Sequence, residues 1–100
     1  MKLAIMDKTP HQLAESLVGL SEEYSRYSGM YIDLVKLEAE FWKVHKDEYK
    51  SDTATQKAFD RTEDGLRMTA IKQKLKSITK TMSSYKTMIE VKTNEARGLY

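Results

Sequence analysis

Two histidines, fifteen carboxylates, seventeen lysines and arginines and six tyrosines are the side chains of this 100-residue chain that could do chemistry. There is no cysteine, which excludes disulfides, thiolate catalysis and thiolate-held metals. His11 and His45 stand far apart, and neither falls in the Glu-x-x-His spacing that builds metal centres in helical bundles. No metal site is expected. His45, one turn after Phe41 on the margin of an apolar face, reads as a boundary histidine hydrogen-bonded at an interface. Glu38 is the one carboxylate that falls on an apolar stripe, between Leu34 and Phe41. Buried there, it would be an acid of shifted pKa; paired, it would be an interhelical partner for Lys or Arg, or a residue that fixes register. Four glycines are scattered, with no Gly-rich turn after a strand, so no phosphate loop is expected. These residues predict no catalytic constellation, no cofactor and no small-molecule substrate, and the chain reads as a non-enzyme.

Two surfaces remain as candidates for function. Tyr24, Tyr27 and Tyr31 occupy consecutive positions of the apolar stripe. Tyrosine rings bury well while their hydroxyls seek partners, which suits a partly wet protein interface. Such rings could also stack on bases, but Glu15, Glu22, Glu23 and Asp33 nearby would repel a phosphate backbone. Val35, Trp42 and Tyr49, seven apart, widen the apolar face beside Met30, Leu34, Leu37, Phe41 and Val44. A face that broad buries against more than one neighbour, so a dimer contact is expected here. The candidate protein interface is therefore Tyr24, Tyr27, Tyr31, Val35, Trp42 and Tyr49.

The second surface is basic. Residues 1–50 carry seven Lys/Arg against nine Asp/Glu, whereas residues 51–100 carry ten against six. No acid falls between Asp64 and Glu90, while Arg67, Lys72, Lys74, Lys76, Lys80 and Lys86 do. Lys72, Lys76 and Lys80 step by four along one helical ridge, with Ser77, Thr79, Thr81, Ser83, Ser84 and Thr87 interspersed. Lysines and small hydroxyls together suit a helix lying along phosphates, which makes Arg67, Lys72, Lys76 and Lys80 candidate nucleic-acid contacts. The same face could instead be solvated, or pair with the acidic first half of a partner subunit.

The elements that must position these residues are helical throughout. Apolar and aromatic residues recur at Leu13, Leu17, Leu20, Tyr24, Tyr27, Tyr31, Leu34 and Phe41, and again at Met68, Ile71, Leu75, Ile78, Met82, Tyr85 and Ile89. Steps of three and four make a seam that needs another helix. The first helix is expected over about 10–50, with Thr9 as N-cap, Pro10 at the first helical position and Gln12 completing a capping box. Gly19 and Ser28-Gly29 weaken it, and a bend is expected near the latter. The second helix is expected over about 54–97, opened by a capping box at Thr53 and Gln56 and frayed near Gly98. Around Gly65 the apolar phase shifts, and a continuous helix is expected through it. The pattern predicts a single all-α domain over 1–100, an antiparallel helical hairpin. Its one seam is a thin core, so self-association to a dimeric four-helix bundle is expected. The opening run Met1-Lys2-Leu3-Ala4-Ile5-Met6 is too short for a signal-peptide core, and no stretch reaches membrane-span length. A cytoplasmic protein without a membrane partner is expected.

Across residues 52–100, Phe59-Asp60-Arg61-Thr62-Glu63-Asp64-Gly65, Lys74-Leu75-Lys76-Ser77-Ile78 and Asn94-Glu95-Ala96-Arg97 resemble small all-helical bacteriophage proteins encoded in early regions near replication and recombination genes. The resemblance implies a phage origin, the host cytoplasm as workplace and an accessory role beside nucleic-acid transactions. It carries over no catalytic residues. The outline is also that of the WXG-type secreted hairpins, but Trp42 is followed by Lys43-Val44 inside the first helix rather than by a Trp-x-Gly turn. Tyr85 is followed four residues later by Ile89, where that family's export signal has an acid.

Overall fold

A computed structural model of the chain describes residues 9–98, with side chains described as far as Glu95. The opening run at residues 1–6 lies outside the described residues. Helix α1 spans Pro10–His45, a 3₁₀ turn follows at Lys46–Glu48, α2 spans Asp52–Asp60 and α3 spans Glu63–Gly98. Among the described residues there is no strand. No described helix is long and apolar enough to cross a membrane.

The start of α1 is the expected capping box, with both of its bonds made. Gln12 N–H donates to Thr9 Oγ1 at 3.2 Å, and Thr9 N–H donates to Gln12 Oε1 at 2.9 Å. These two bonds satisfy donors that a helix N-terminus otherwise leaves open. The helix then runs unbroken through Gly19 and Ser28-Gly29, so the weak points do not interrupt it.

Its far end comes earlier than residue 50. After His45 the chain tightens into the 3₁₀ turn, and Tyr49 is extended at φ −117°, ψ 151°. No residue from Lys46 to Lys50 is buried, so no packing sustains an α-helix through this polar stretch. Ser51 then caps α2 by accepting from Ala54 N–H at 3.1 Å. The cap stands two residues ahead of the expected Thr53. Thr55 is buried and returns its hydroxyl to Ser51 O, and Gln56 points to α1 rather than back to Thr53.

A second correction falls at Arg61–Thr62, where the expected 54–97 helix is divided. The Thr62 hydroxyl donates to Phe59 O at 2.6 Å and accepts from Gly65 N–H at 3.0 Å, closing α2 and capping α3 at once. Glu63 and Asp64 in the first turn of α3 complement its dipole. Gly65 is required by proximity rather than by φ, which is not positive. A Cβ there would collide with Phe59 O and lie 2.7 Å from Asp60 Cα.

The chain divides into two compact units, residues 26–75 and residues 1–25 with 76–100. In the 26–75 unit, Leu34, Phe59, Met68 and Ile71 form the buried core, with Tyr27, Tyr31, Phe41 and Leu75 packed on it. The rings of Phe41 and Phe59 meet edge to face at 5.5 Å, tying α2 to α1. Lys72 lies over the Tyr31 ring and Lys74 over the Tyr27 ring, so α3 rises in number as α1 falls. The two helices are antiparallel here, and α2 closes one end of their seam. In the other unit, Leu13 and Ile78 are the buried hydrophobics among the described residues, while Leu17, Leu20, Met82, Tyr85 and Ile89 are half-buried.

Candidate protein and nucleic-acid surfaces

The chemistry-bearing residues sort into internal links and outward surfaces. Glu38 is half-buried, and its partner is an amide rather than a cation. Gln56 donates from Nε2 to Glu38 Oε2 at 3.1 Å and to Asp60 Oδ1 at 2.9 Å, while its Oε1 accepts from Trp42 Nε1 at 3.1 Å. One α2 amide thereby satisfies a carboxylate and an indole on successive turns of α1. Periodicity gives no hint of Gln56, because its role is set by the docking of α2. The His45 ring lies tilted against Phe41 at 4.5 Å between centroids, and its Nδ1 is hydrogen-bonded with Glu48 at 2.9 Å. His11 pairs with Glu15 at 3.0 Å on an exposed face. Among the described residues no three of His, Asp and Glu gather as a metal ion would require.

The six candidate interface residues stand in different local surroundings. Val35 is exposed, and Trp42 is half-buried with its indole N–H held by Gln56. Tyr49 leaves their seven-residue row, because α1 ends four residues before it. Tyr27 and Tyr31 lie half-buried against the core, their rings covered by cations. Arg26 and Lys74 approach the Tyr27 ring at 5.1 and 5.8 Å, and Lys72 approaches Tyr31 at 5.8 Å. Tyr24 belongs to the other unit, where it lines an open cleft of about 250 Å³ with Thr79, Met82, Ser83 and Lys86.

The basic candidates differ among themselves as well. Arg67 is engaged by Glu63 at 3.3 Å and Asp64 at 3.7 Å. Lys72 covers Tyr31, so the first lysine of the ridge and the last of the three stripe tyrosines are brought together. Lys76 and Lys80 are exposed, in the unit of residues 1–25 with 76–100. Three of the interspersed hydroxyls are committed to their own helix. Thr81 donates to Ser77 O, Ser84 to Lys80 O and Thr87 to Ser83 O, at 3.0–3.1 Å. A hydroxyl proton spent on the preceding turn is withdrawn from donation to phosphate.

One surface is more exposed than its composition would lead one to expect. Met30, Leu37 and Val44 recur at seven on one flank of α1, and are 40%, 44% and 67% exposed. Met30 and Leu37 border an open cleft of about 190 Å³ with Asp33, Leu34, Arg67 and Ile71. The spacing was visible in the sequence. That these residues stay outside the hairpin seam was not.

The fold and these surfaces define a strandless helical protein whose two long helices share a thin core, among the described residues. No protein-family model, curated protein or solved structure matches the chain.

Proposed function

We propose that this chain is a non-enzymatic, self-associating helical protein that works by binding other proteins. The carrying observation is the row Met30, Leu37 and Val44, large apolar side chains exposed at coiled-coil spacing beside a seam already filled by Leu34 and Ile71. Side chains of that kind at a seven-residue period are stabilised when another helix covers them. A dimer completing a four-helix bundle is the simplest such cover. The resemblance of residues 52–100 to small helical phage proteins supports a phage-encoded accessory of replication or recombination, or a binder of a host protein, in the host cytoplasm.

Lys76 and Lys80, exposed on successive turns, favour the competing reading of a nucleic-acid-binding accessory. Two measurements on the full chain separate the readings. Sedimentation across micromolar concentrations is expected to show assembly. Titration of fluorescent single-stranded and duplex oligonucleotides at low and moderate salt is expected to show no saturable binding. A monomer at every concentration overturns self-association. Saturable binding that weakens steeply with salt, and is lost in Lys76→Glu/Lys80→Glu, establishes the competing reading.

A further inference from the structure

The cleft at Met30 and Leu37 carries more than exposed apolar area, because its two lips have opposite charge. Leu34 and Ile71 belong to the buried core, and Met30 and Leu37 stand over them on the α1 side. Asp33 lies on the α1 lip and Arg67 on the α3 lip. On α3 the exposed Leu66 and Ala70 lie near Arg67, one turn apart, and Leu66 is 62% exposed. All of these residues belong to the 26–75 unit.

A twofold interface must be complementary to itself, since one patch supplies both sides. This flank meets that condition. A rotation axis through the cleft sets the acidic lip of one copy against the basic lip of the other, twice over. The same rotation sets Met30, Leu37 and Val44 against Leu66 and Ala70 of the other copy. We propose that this flank binds a second copy of the chain, α1 of each copy lying against α3 of the other. In this arrangement Asp33 of each copy faces the partner subunit's Arg67. The proposal rests on the self-association reading above and adds to it the face, the orientation and the Asp33–Arg67 charge pair. Arg67 keeps Glu63 and Asp64 beside it, and its planar guanidinium has donors for a further carboxylate.

The test is sedimentation equilibrium of the full chain, with circular dichroism to confirm helicity. Leu37→Glu and Val44→Glu, at exposed positions, are expected to leave helicity unchanged and abolish the dimer. Asp33→Arg and Arg67→Asp are each expected to weaken association by about tenfold or more. Asp33→Arg/Arg67→Asp in one chain is expected to recover association, since the pair is restored with its signs exchanged. Recovery also separates pairing between subunits from the loss of the contacts of Arg67 with Glu63 and Asp64, which exchange would not mend. A helical Leu37→Glu or Val44→Glu variant that associates like the wild type overturns the face, while self-association stands. A charge-exchanged chain no stronger than the single variants overturns the orientation. A monomeric wild type overturns both the proposal and the reading beneath it.

Discussion

Replacing Gly65 with alanine opposes two effects whose magnitudes can be compared. In a helix, alanine is favoured over glycine by at most about 1 kcal/mol, and Gly65 lies in the first turn of α3. Against this stands the corner with α2. The new Cβ would overlap Phe59 O and lie 2.7 Å from Asp60 Cα and 2.9 Å from Asp60 C. All three are backbone atoms, so no side chain can rotate away. Carbon contact is comfortable only near 3.5 Å, so the corner must open by on the order of 1 Å. Overpacking of this kind costs about 1–3 kcal/mol. Opening also lifts Phe59, 2% exposed, from a site whose full burial is worth about 3 kcal/mol. The net expectation is a loss of about 2 kcal/mol, or roughly 10 °C in Tm for a domain of this size. Gly29 is the internal control, since nothing lies within 4 Å of a Cβ there. Gly29→Ala should raise Tm by a few degrees, up to about 1 kcal/mol. Thermal melts by circular dichroism at one protein concentration decide it, because association would itself shift Tm. A Gly65→Ala chain as stable as the wild type would refute the corner.

Thr62→Ala should lower the urea midpoint with m unchanged, a loss of about 1 kcal/mol in unfolding free energy, since it removes the cap of α3 and the bond to Phe59 O; Thr62→Ser should retain both. Lys72→Glu should destabilise the chain by about 0.5–1 kcal/mol in thermal melts by removing the cation over Tyr31, whereas Lys76→Glu/Lys80→Glu should leave its stability within about 0.5 kcal/mol of the wild type.

What the sequence made legible follows the physics of each feature. The start of α1 was readable because Thr9, Pro10 and Gln12 act within four residues, and no distant part of the chain competes for them. The seam was readable because helical period alone places Leu34, Met68 and Ile71 on facing stripes. The corner was not, for the opposite reason. Ser51, Thr53 and Thr55 could each cap a helix, and the choice among them is bound up with where the Phe59 ring meets Phe41. A usable signal did exist at Thr62, a hydroxyl followed by Glu63 and Asp64 where the apolar phase shifts. Read as a cap rather than an irregularity, it divides the helix in the right place. The Gln56 links to Glu38 and Trp42 span 18 and 14 residues, beyond the reach of any local rule.

The same distinction governs the candidate surfaces. Sequence spacing separated a tyrosine face on α1 from a basic ridge on α3, as though each waited for its own ligand. Antiparallel packing brings them into contact instead, with Lys72 on Tyr31 and Lys74 on Tyr27. Part of the basic excess of the second half therefore acts within the hairpin, at about 0.5–1 kcal/mol for each cation on a ring. Arg67 is likewise offset by Glu63 and Asp64. Charge along this helix cannot then be counted as a measure of affinity for phosphate. The apolar residues sort by the same criterion. Leu34 and Ile71 are used by the hairpin, whereas Met30, Leu37 and Val44 keep a helical period that the hairpin does not consume. The exposure of Met30 and Leu37, between an acidic lip and a basic one, is a property of the 26–75 unit that its own folding does not require.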